Sequence, residues 1–305
     1  MFDLFFEETR IATTAIEFLD SWGQIPEIRA VVAGTKMTPW LSDWYPSPFQ
    51  IFELRAGDRR ITGELESVRS NLLGAVELSF LAFPLDSPLR KRRYQAYEDV
   101  PVEELIRTVS RRAGITLSII GDIPNLEIER ETQENESDLG FLVRLCERAY
   151  LYPRFTTDGV TILSISELDR RDTVATLTPS DLLRSPVPDY QDSVLDAFGS
   201  VEVSTETFTV AATGGRGFRT ELIDEPGLNN QADALSYANA ILSESDKNTR
   251  RLSLGIRPNY NLFLGDNIRV EFPGVIAGKY QVRELNHSQS VSTKNTQLSL
   301  VKLSP

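Results

Sequence analysis

Hydrophobic and polar residues alternate with the period of a β-strand over much of the first 95 positions. Phe49-Gln50-Ile51-Phe52-Glu53-Leu54-Arg55 alternates in part, and Ala56-Gly57-Asp58-Arg59 makes a turn. Arg60 to Val68 then points Ile61, Leu65 and Val68 inward. Asn71-Leu72-Leu73-Gly74 closes another turn before Ala75-Val76-Glu77-Leu78-Ser79-Phe80-Leu81. The pattern predicts hairpin-linked strands. It also predicts a short helix near Thr13 to Leu19 and an ordered aromatic loop from Pro39 to Pro48, carrying Trp40, Trp44 and Tyr45.

Beyond residue 96 the period becomes helical. Asp99 and Pro101 open a helix with Leu105, Ile106, Val109 and Ala113 on one face, and Gly114 stands where a C-terminal cap belongs. Ile115-Thr116-Leu117-Ser118-Ile119 reads as a strand. Ser137 is an N-cap with Asp138 in the positive first turn of a helix whose apolar face is Leu139, Leu142, Leu145, Cys146 and Ala149. A hairpin with its turn at Asp158-Gly159 follows, ending near Ile165.

From residue 169 strands return. Ser200 to Ser204 and Thr207 to Ala211 have period two, and a helix at about 231–244 carries Ala234, Leu235, Ala238, Ile241 and Leu242. After it come apolar pairs and triplets at Leu252-Leu254-Ile256, Ile268-Val270-Phe272, Tyr280-Val282 and Leu298-Leu300. Short strands with one packed helix predict a small closed or nearly closed barrel.

Composition narrows the function classes. The 305 residues hold 32 Lys and Arg against 44 Asp and Glu, a formal charge of −12. Such a balance argues against a duplex-DNA binder, whose affinity comes from neutralising phosphates. It suits a soluble protein, or one lining a channel that nucleic acid crosses without sticking. Cys146 is the single cysteine, so no intrachain disulfide and no multi-cysteine zinc site can form. Apolar runs such as Leu78 to Leu85 are too short to span a bilayer, and the acidic start Met1-Phe2-Asp3-Leu4-Phe5-Phe6-Glu7-Glu8 is unlike a secretory signal. Assembly in the cytoplasm, with no membrane insertion, is expected.

The stretch Glu136-Ser137-Asp138-Leu139-Gly140-Phe141-Leu142-Val143-Arg144-Leu145-Cys146-Glu147, with Tyr150-Leu151-Tyr152 and Thr157 to Leu163, resembles the central segment of the phage late control gene D family. These are baseplate hub proteins of contractile tails, similar to the hub part of type VI secretion spike proteins. The resemblance continues in the helix after Asn230 that leads into Arg251-Leu252-Ser253-Leu254-Gly255-Ile256. It continues again in Leu264 to Val270, Gly278-Lys279-Tyr280-Gln281-Val282, Asn286-His287-Ser288 and Thr296-Gln297-Leu298-Ser299-Leu300. It covers roughly residues 90–303; the first 90 match only in being strand-rich.

The resemblance implies a mainly β (α+β) fold: two tail-tube-like β-barrels, an inserted α/β segment, and a helix packed on the second barrel. Residues 1–95 would form the first barrel, completed by strands from about 169–215; residues 96–168 the insertion; residues 169–305 the second barrel. It also implies a homotrimer, a symmetry adaptor between the sixfold tail tube ring and a threefold central spike protein. Baseplate wedge and tape-measure proteins would be further partners, and DNA would pass the lumen without specific binding. The chain ends at Pro305, just after the last strand, so the spike is expected as a separate polypeptide. The rival readings are a cell-wall-degrading tail hydrolase and another tail-tip ring protein, of the wedge or distal tail.

No residue set demands an enzyme, a cofactor or a metal. His287 is the only histidine and sits in a predicted strand; Cys146 lies on an apolar helix face and reads as an inert thiol. Thr213-Gly214-Gly215-Arg216-Gly217 follows a strand but lacks the Lys-Ser/Thr ending of a phosphate loop, so Gly214, Gly215 and Arg216 are candidate contacts to a neighbouring subunit. The acidic run Glu127, Glu129, Glu131, Glu134 and Glu136 reads as a solvated face. Arg90-Lys91-Arg92-Arg93 is the one basic block and a candidate docking patch for an acidic partner. Trp40 and Trp44 are candidate anchors in a partner's pocket, or a lid on the core.

Overall fold

The alternation of the first 95 residues does what it predicts: inward apolar positions stack into one core while the backbone pairs laterally. The computed structural model describes residues 2–32, 46–57, 59–70 and 75–303. The aromatic loop with Trp40 and Trp44, and the turn Asn71 to Gly74, lie outside the described residues.

The first part comprises β1 (Phe2–Phe6), β2 (Thr9–Ile11), β3 (Ala15–Ser21), β4 (Glu27–Val32), β5 (Ile51–Ala56), β6 (Arg59–Ser70) and β7 (Val76–Leu81). Their order in the sheet is β3-β4-β7-β6-β5-β1-β2. The helix expected near Thr13 to Leu19 is instead β3. Its Ile16, Phe18 and Asp20 alternate inward, and pairing on both sides settles a segment whose local signal is ambiguous. Within β6 the register shifts between Leu65 and Ser67, which re-aims the strand beyond Leu65; Leu65 is buried, and Ile61 and Val68 are partly covered.

The middle part holds β8 (Arg92–Pro101), α1 (Val102–Arg112), β9 (Leu117–Ile120), β10 (Glu127–Ser137), α2 (Asp138–Arg148), β11 (Leu151–Thr156), β12 (Gly159–Ser164) and α3 (Ile165–Arg170). Gly114 takes the left-handed φ of +67° that ends α1. Ser137 Oγ accepts from the Gly140 amide at 3.1 Å, as an N-cap should. β8 and β10 form a two-stranded antiparallel ribbon, and β9 joins β12 and β11 in a second small sheet. The acidic run is therefore one strand of a ribbon, with Glu129 and Glu134 exposed as a solvated face and Glu127, Glu131 and Glu136 partly covered.

The last part holds β13 (Thr173–Leu177), β14 (Asp189–Asp192), β15 (Phe198–Ser204), β16 (Thr209–Thr213), β17 (Arg219–Asp224), α4 (Gln231–Asn248), β18 (Arg250–Ile256), β19 (Asn267–Val270), β20 (Gly278–Ser290) and β21 (Lys294–Lys302). Strands β14, β18, β21 and β20 continue the first sheet through the antiparallel β20–β3 pair, and β19 and β13 branch from β20. The Gln289 side-chain amide bonds both the amide and the carbonyl of Phe2, at 2.9 Å each, bringing β1 round towards β20. The first half is thus completed by β20. The strands at about 169–215 expected in that role divide otherwise: β13 and β14 join the second half, whereas β15 and β16 form a separate three-stranded sheet with β17.

Two hydrophobic cores result. One runs through both halves of the large sheet, from Phe2 and Phe18 to Tyr280 and Leu300. The other joins α1, α2, β15 and α4 through residues such as Ile106, Phe141, Val201 and Ala238. α4 touches β18 and β21, but its larger face lies on β15 and β16, because Ala234, Tyr237, Ala238, Ile241 and Leu242 belong to the second core. The protein is mainly β, with few helices and several sheets.

Candidate interaction surfaces

The basic block begins in a one-turn 3-10 helix and enters β8, and three of its four side chains bond within the chain. Arg90 Nε donates to the Pro84 carbonyl at 3.3 Å. Arg92 donates to the Asn135 carbonyl at 2.9 Å, and Arg93 Nε to Asp138 Oδ2 at 2.9 Å. Lys91 is exposed. Asp138, read from sequence as a helix-dipole partner, is fully buried at the centre of a network: it takes Arg93, Arg112 and the Gln133 side-chain amide. Two guanidiniums and an amide supply the donors that a buried carboxylate needs.

The acidic strand is similarly engaged. Glu131 meets Arg144 at 2.5 Å and Arg148 at 2.7 Å, Glu136 meets Arg144 at 2.8 Å, and Arg148 also pairs with buried Glu225 at 2.6 Å. These pairs bind β10 to α2 and α2 to the segment after β17.

The glycine loop is a point of close backbone approach. The Gly214 and Gly215 amides donate to the Gly199 carbonyl at 3.2 and 3.1 Å, and the Gly217 amide to Phe198 O at 3.1 Å. A Cβ on Gly215 would stand 2.2 Å from Phe198 O, and one on Gly217 would stand 1.9 Å from Ala197 O. Only glycine fits such contact. Arg216 joins Asp192 at 2.8 Å and Thr249 Oγ1 at 2.6 Å, tying the loop to β14 and to the end of α4.

The exposed apolar residues were not singled out from sequence. Phe218, 95 % exposed, stands just before β17, and Leu222, 71 % exposed, stands within it; β17 is an edge strand of its sheet. Phe49 and Ile51 form a second exposed pair by β5. Phe218 and Leu222 share the strand period of the residues between them; exposure itself is a tertiary fact that this period does not encode.

The candidate reactive groups are interior. Cys146 is fully buried, and burial pushes its thiol up, far from a reactive thiolate. His287 is fully buried between Phe2, Phe18 and Tyr260, with Nδ1 2.8 Å from Thr296 Oγ1. Burial, and then the positive charge of Arg59, lower its pKa to about 3. Among the described residues, no group of three His, Cys, Asp or Glu is placed to hold a metal ion, and no helix is long and apolar enough to cross a membrane.

No family model and no curated protein sequence matches this chain. Solved structures do. The 43 kDa tail protein of prophage MuSo2 from Shewanella oneidensis aligns over 99% of this chain and 97% of its own, with a TM-score of 0.73 at 12% identity. A tail protein from Neisseria meningitidis aligns over 99% and 96%, with a TM-score of 0.72 at 14% identity. An Escherichia coli type VI secretion component, described as similar in structure to T4 bacteriophage tail proteins gp27 and gp5, covers 100% of this chain at a TM-score of 0.64 and 13% identity. The chain therefore has the fold of phage tail proteins, along nearly its whole described length.

Proposed function

We propose that this chain is a structural part of a contractile phage tail or a related injection system, and within it the baseplate hub. Three copies would form a ring that meets the sixfold tail tube on one side and the threefold spike on the other, around an axial channel. The observation that carries the tail assignment is the end-to-end fold match, 99% of this chain on 97% of a prophage tail protein. The architecture supports the hub reading. The hub reading takes the two sheet halves joined by the β3–β20 pair as like bodies, so that a trimer would present six. Residues 1–95 and 169–305 supply most of those bodies, and residues 96–168 the inserted piece that shares its core with α4.

A non-enzymatic role is supported by the likeness in fold to tail proteins. Lys91, Arg92, Phe218 and Leu222 are the surface groups proposed to meet neighbouring proteins: the tube ring, the spike, and wedge or tape-measure components. The net charge of −12 suits a lumen that DNA crosses without binding. The sedimentation mass of the purified chain, with end-view images, tests the assembly. A trimeric ring supports the hub, and a compact monomer that clears peptidoglycan at catalytic concentrations supports the hydrolase instead.

A further inference from the structure

Where the two cores meet, β11 faces both. Its Tyr152 belongs to the core of the large sheet, and its Leu151 and Phe155 to the other. Near Tyr152 lie Asp20 on β3 and Arg154 on β11, and Arg59 on β6 and Asp266 before β19 complete a group of charges drawn from three parts of the chain. Phe263 locates them. The Arg59 guanidinium carbon is 3.9 Å and that of Arg154 5.6 Å from its ring centre, and its amide donates to Asp266 Oδ2 at 2.8 Å. Arg59 also lies 5.0 Å from the Phe18 ring, and Asp20 follows Phe18 on the same inward face of β3.

Asp20 is only 2 % exposed, and among the described residues its Oδ2 is not bonded to either arginine. Asp20 Oδ2, Arg59 Nε and Arg154 Nε are each shielded from solvent and have no hydrogen-bond partner in the protein. Arg59 places Nη1 on the Tyr260 and Leu262 carbonyls at 3.2 and 3.3 Å. Burial raises the Asp20 pKa, while the charges of Arg154 and Arg59 act against that rise.

We infer that Asp20, Arg59 and Arg154 enclose a site for ordered water, and that this water-bridged junction holds the inserted α/β body in one orientation on the large sheet. The donor set selects the ligand. Two N–H groups need an acceptor and one carboxylate oxygen needs a donor, so the occupant must do both. A metal cation would face two guanidiniums, and an anion would face Asp20 and Asp266. A molecule that both donates and accepts satisfies all three atoms at once, and buried water with two to four polar partners is the common solution. Bridging also explains how Asp20 Oδ2 sits near two guanidiniums without bonding either. The inference stands apart from the tail assignment, because it concerns how one chain holds itself together.

A high-resolution crystal structure of the full chain decides the first half. A water peak at roughly 2.7–3.2 Å from Asp20 Oδ2 and from at least one of the two Nε atoms is expected. Direct Asp20–guanidinium contact with no water between, or a metal or anion at that place, overturns it. Hydrogen exchange decides the second half. Arg154→Met, which keeps the stem and removes the donors, should speed amide exchange in β11 and β12 about tenfold or more, with β18 and β21 little changed; equal exchange in both proteins overturns the coupling. If Arg154→Met does not fold, Asp20→Asn gives the same readout, with faster exchange in β11 and β12 expected and unchanged exchange counting against the coupling.

Discussion

His287 gives the fold a dependence on acid that can be calculated and isolated. In the folded chain its pKa is lowered to about 3, by burial first and then by the charge of Arg59. In the unfolded chain it returns to the ordinary value near 6.5. The folded state therefore binds fewer protons than the unfolded state between those two values, and stability falls as pH drops through that window. Above pH 6.5 the contribution is wholly present. Each unit of separation is worth about 1.4 kcal/mol, so roughly 2 kcal/mol is lost by pH 5 and about 4 kcal/mol by pH 3. Carboxylates add their own slope, so the informative quantity is the difference between two proteins. His287→Gln keeps a polar partner for Thr296 and removes the titration. Urea unfolding at pH 7.5 and pH 5 should show the parent losing about 2 kcal/mol more than the variant. Because the chain has a single histidine, its imidazole resonances in an untagged protein are also unambiguous. They should stay in the neutral position down to pH 5. Equal pH slopes for parent and variant, or an imidazole titrating near 6.5, would refute the reasoning.

Other substitutions test other parts of the account. Asp138→Ala leaves Arg93, Arg112 and Gln133 without their shared acceptor; since both arginines are partly solvated, a loss of about 3 kcal/mol in chemical unfolding is expected, and a loss below about 1 would contradict the network. Gly217→Ala drives a Cβ onto the Ala197 carbonyl and should cost about 1–3 kcal/mol, lowering the thermal midpoint; an unchanged midpoint would show that the loop is not held closely. Lys91→Glu with Arg92→Glu should leave the unfolding curve nearly unchanged but slow association with an acidic partner surface, most strongly at low salt; equal rates would remove the docking role.

Local chemistry in the sequence carried a good part of this fold. Gly114 after an amphipathic run, Ser137 before one, and Asn230 before a third each mark a helix end by hydrogen bonds made within a few residues. Segments governed by distant partners were less legible. Ala15 to Ser21 has a weak local signal and becomes a strand because β4 and β20 lie on either side, the latter from the far end of the chain. Glu131 in the acidic run of β10 looks solvated until Arg144 and Arg148 arrive from the next helix. Asp138 looks like a surface charge until Arg93 and Arg112 converge on it. Asp20 did leave a trace: it continues the inward phase of Ile16 and Phe18, where a charge is out of place unless the fold supplies polar partners. The glycine loop was visible as a motif, but its cause, close approach to Ala197 and Phe198, is a tertiary fact.

The central claim concerns assembly, and the copy number of this chain in a purified tail or injection particle tests it most directly. Quantitative mass spectrometry against the tube protein, with an averaged end view of the baseplate, should give three copies arranged as a ring of six similar bodies around a channel. Six copies per particle, or a location away from the tube–spike junction, would contradict the hub.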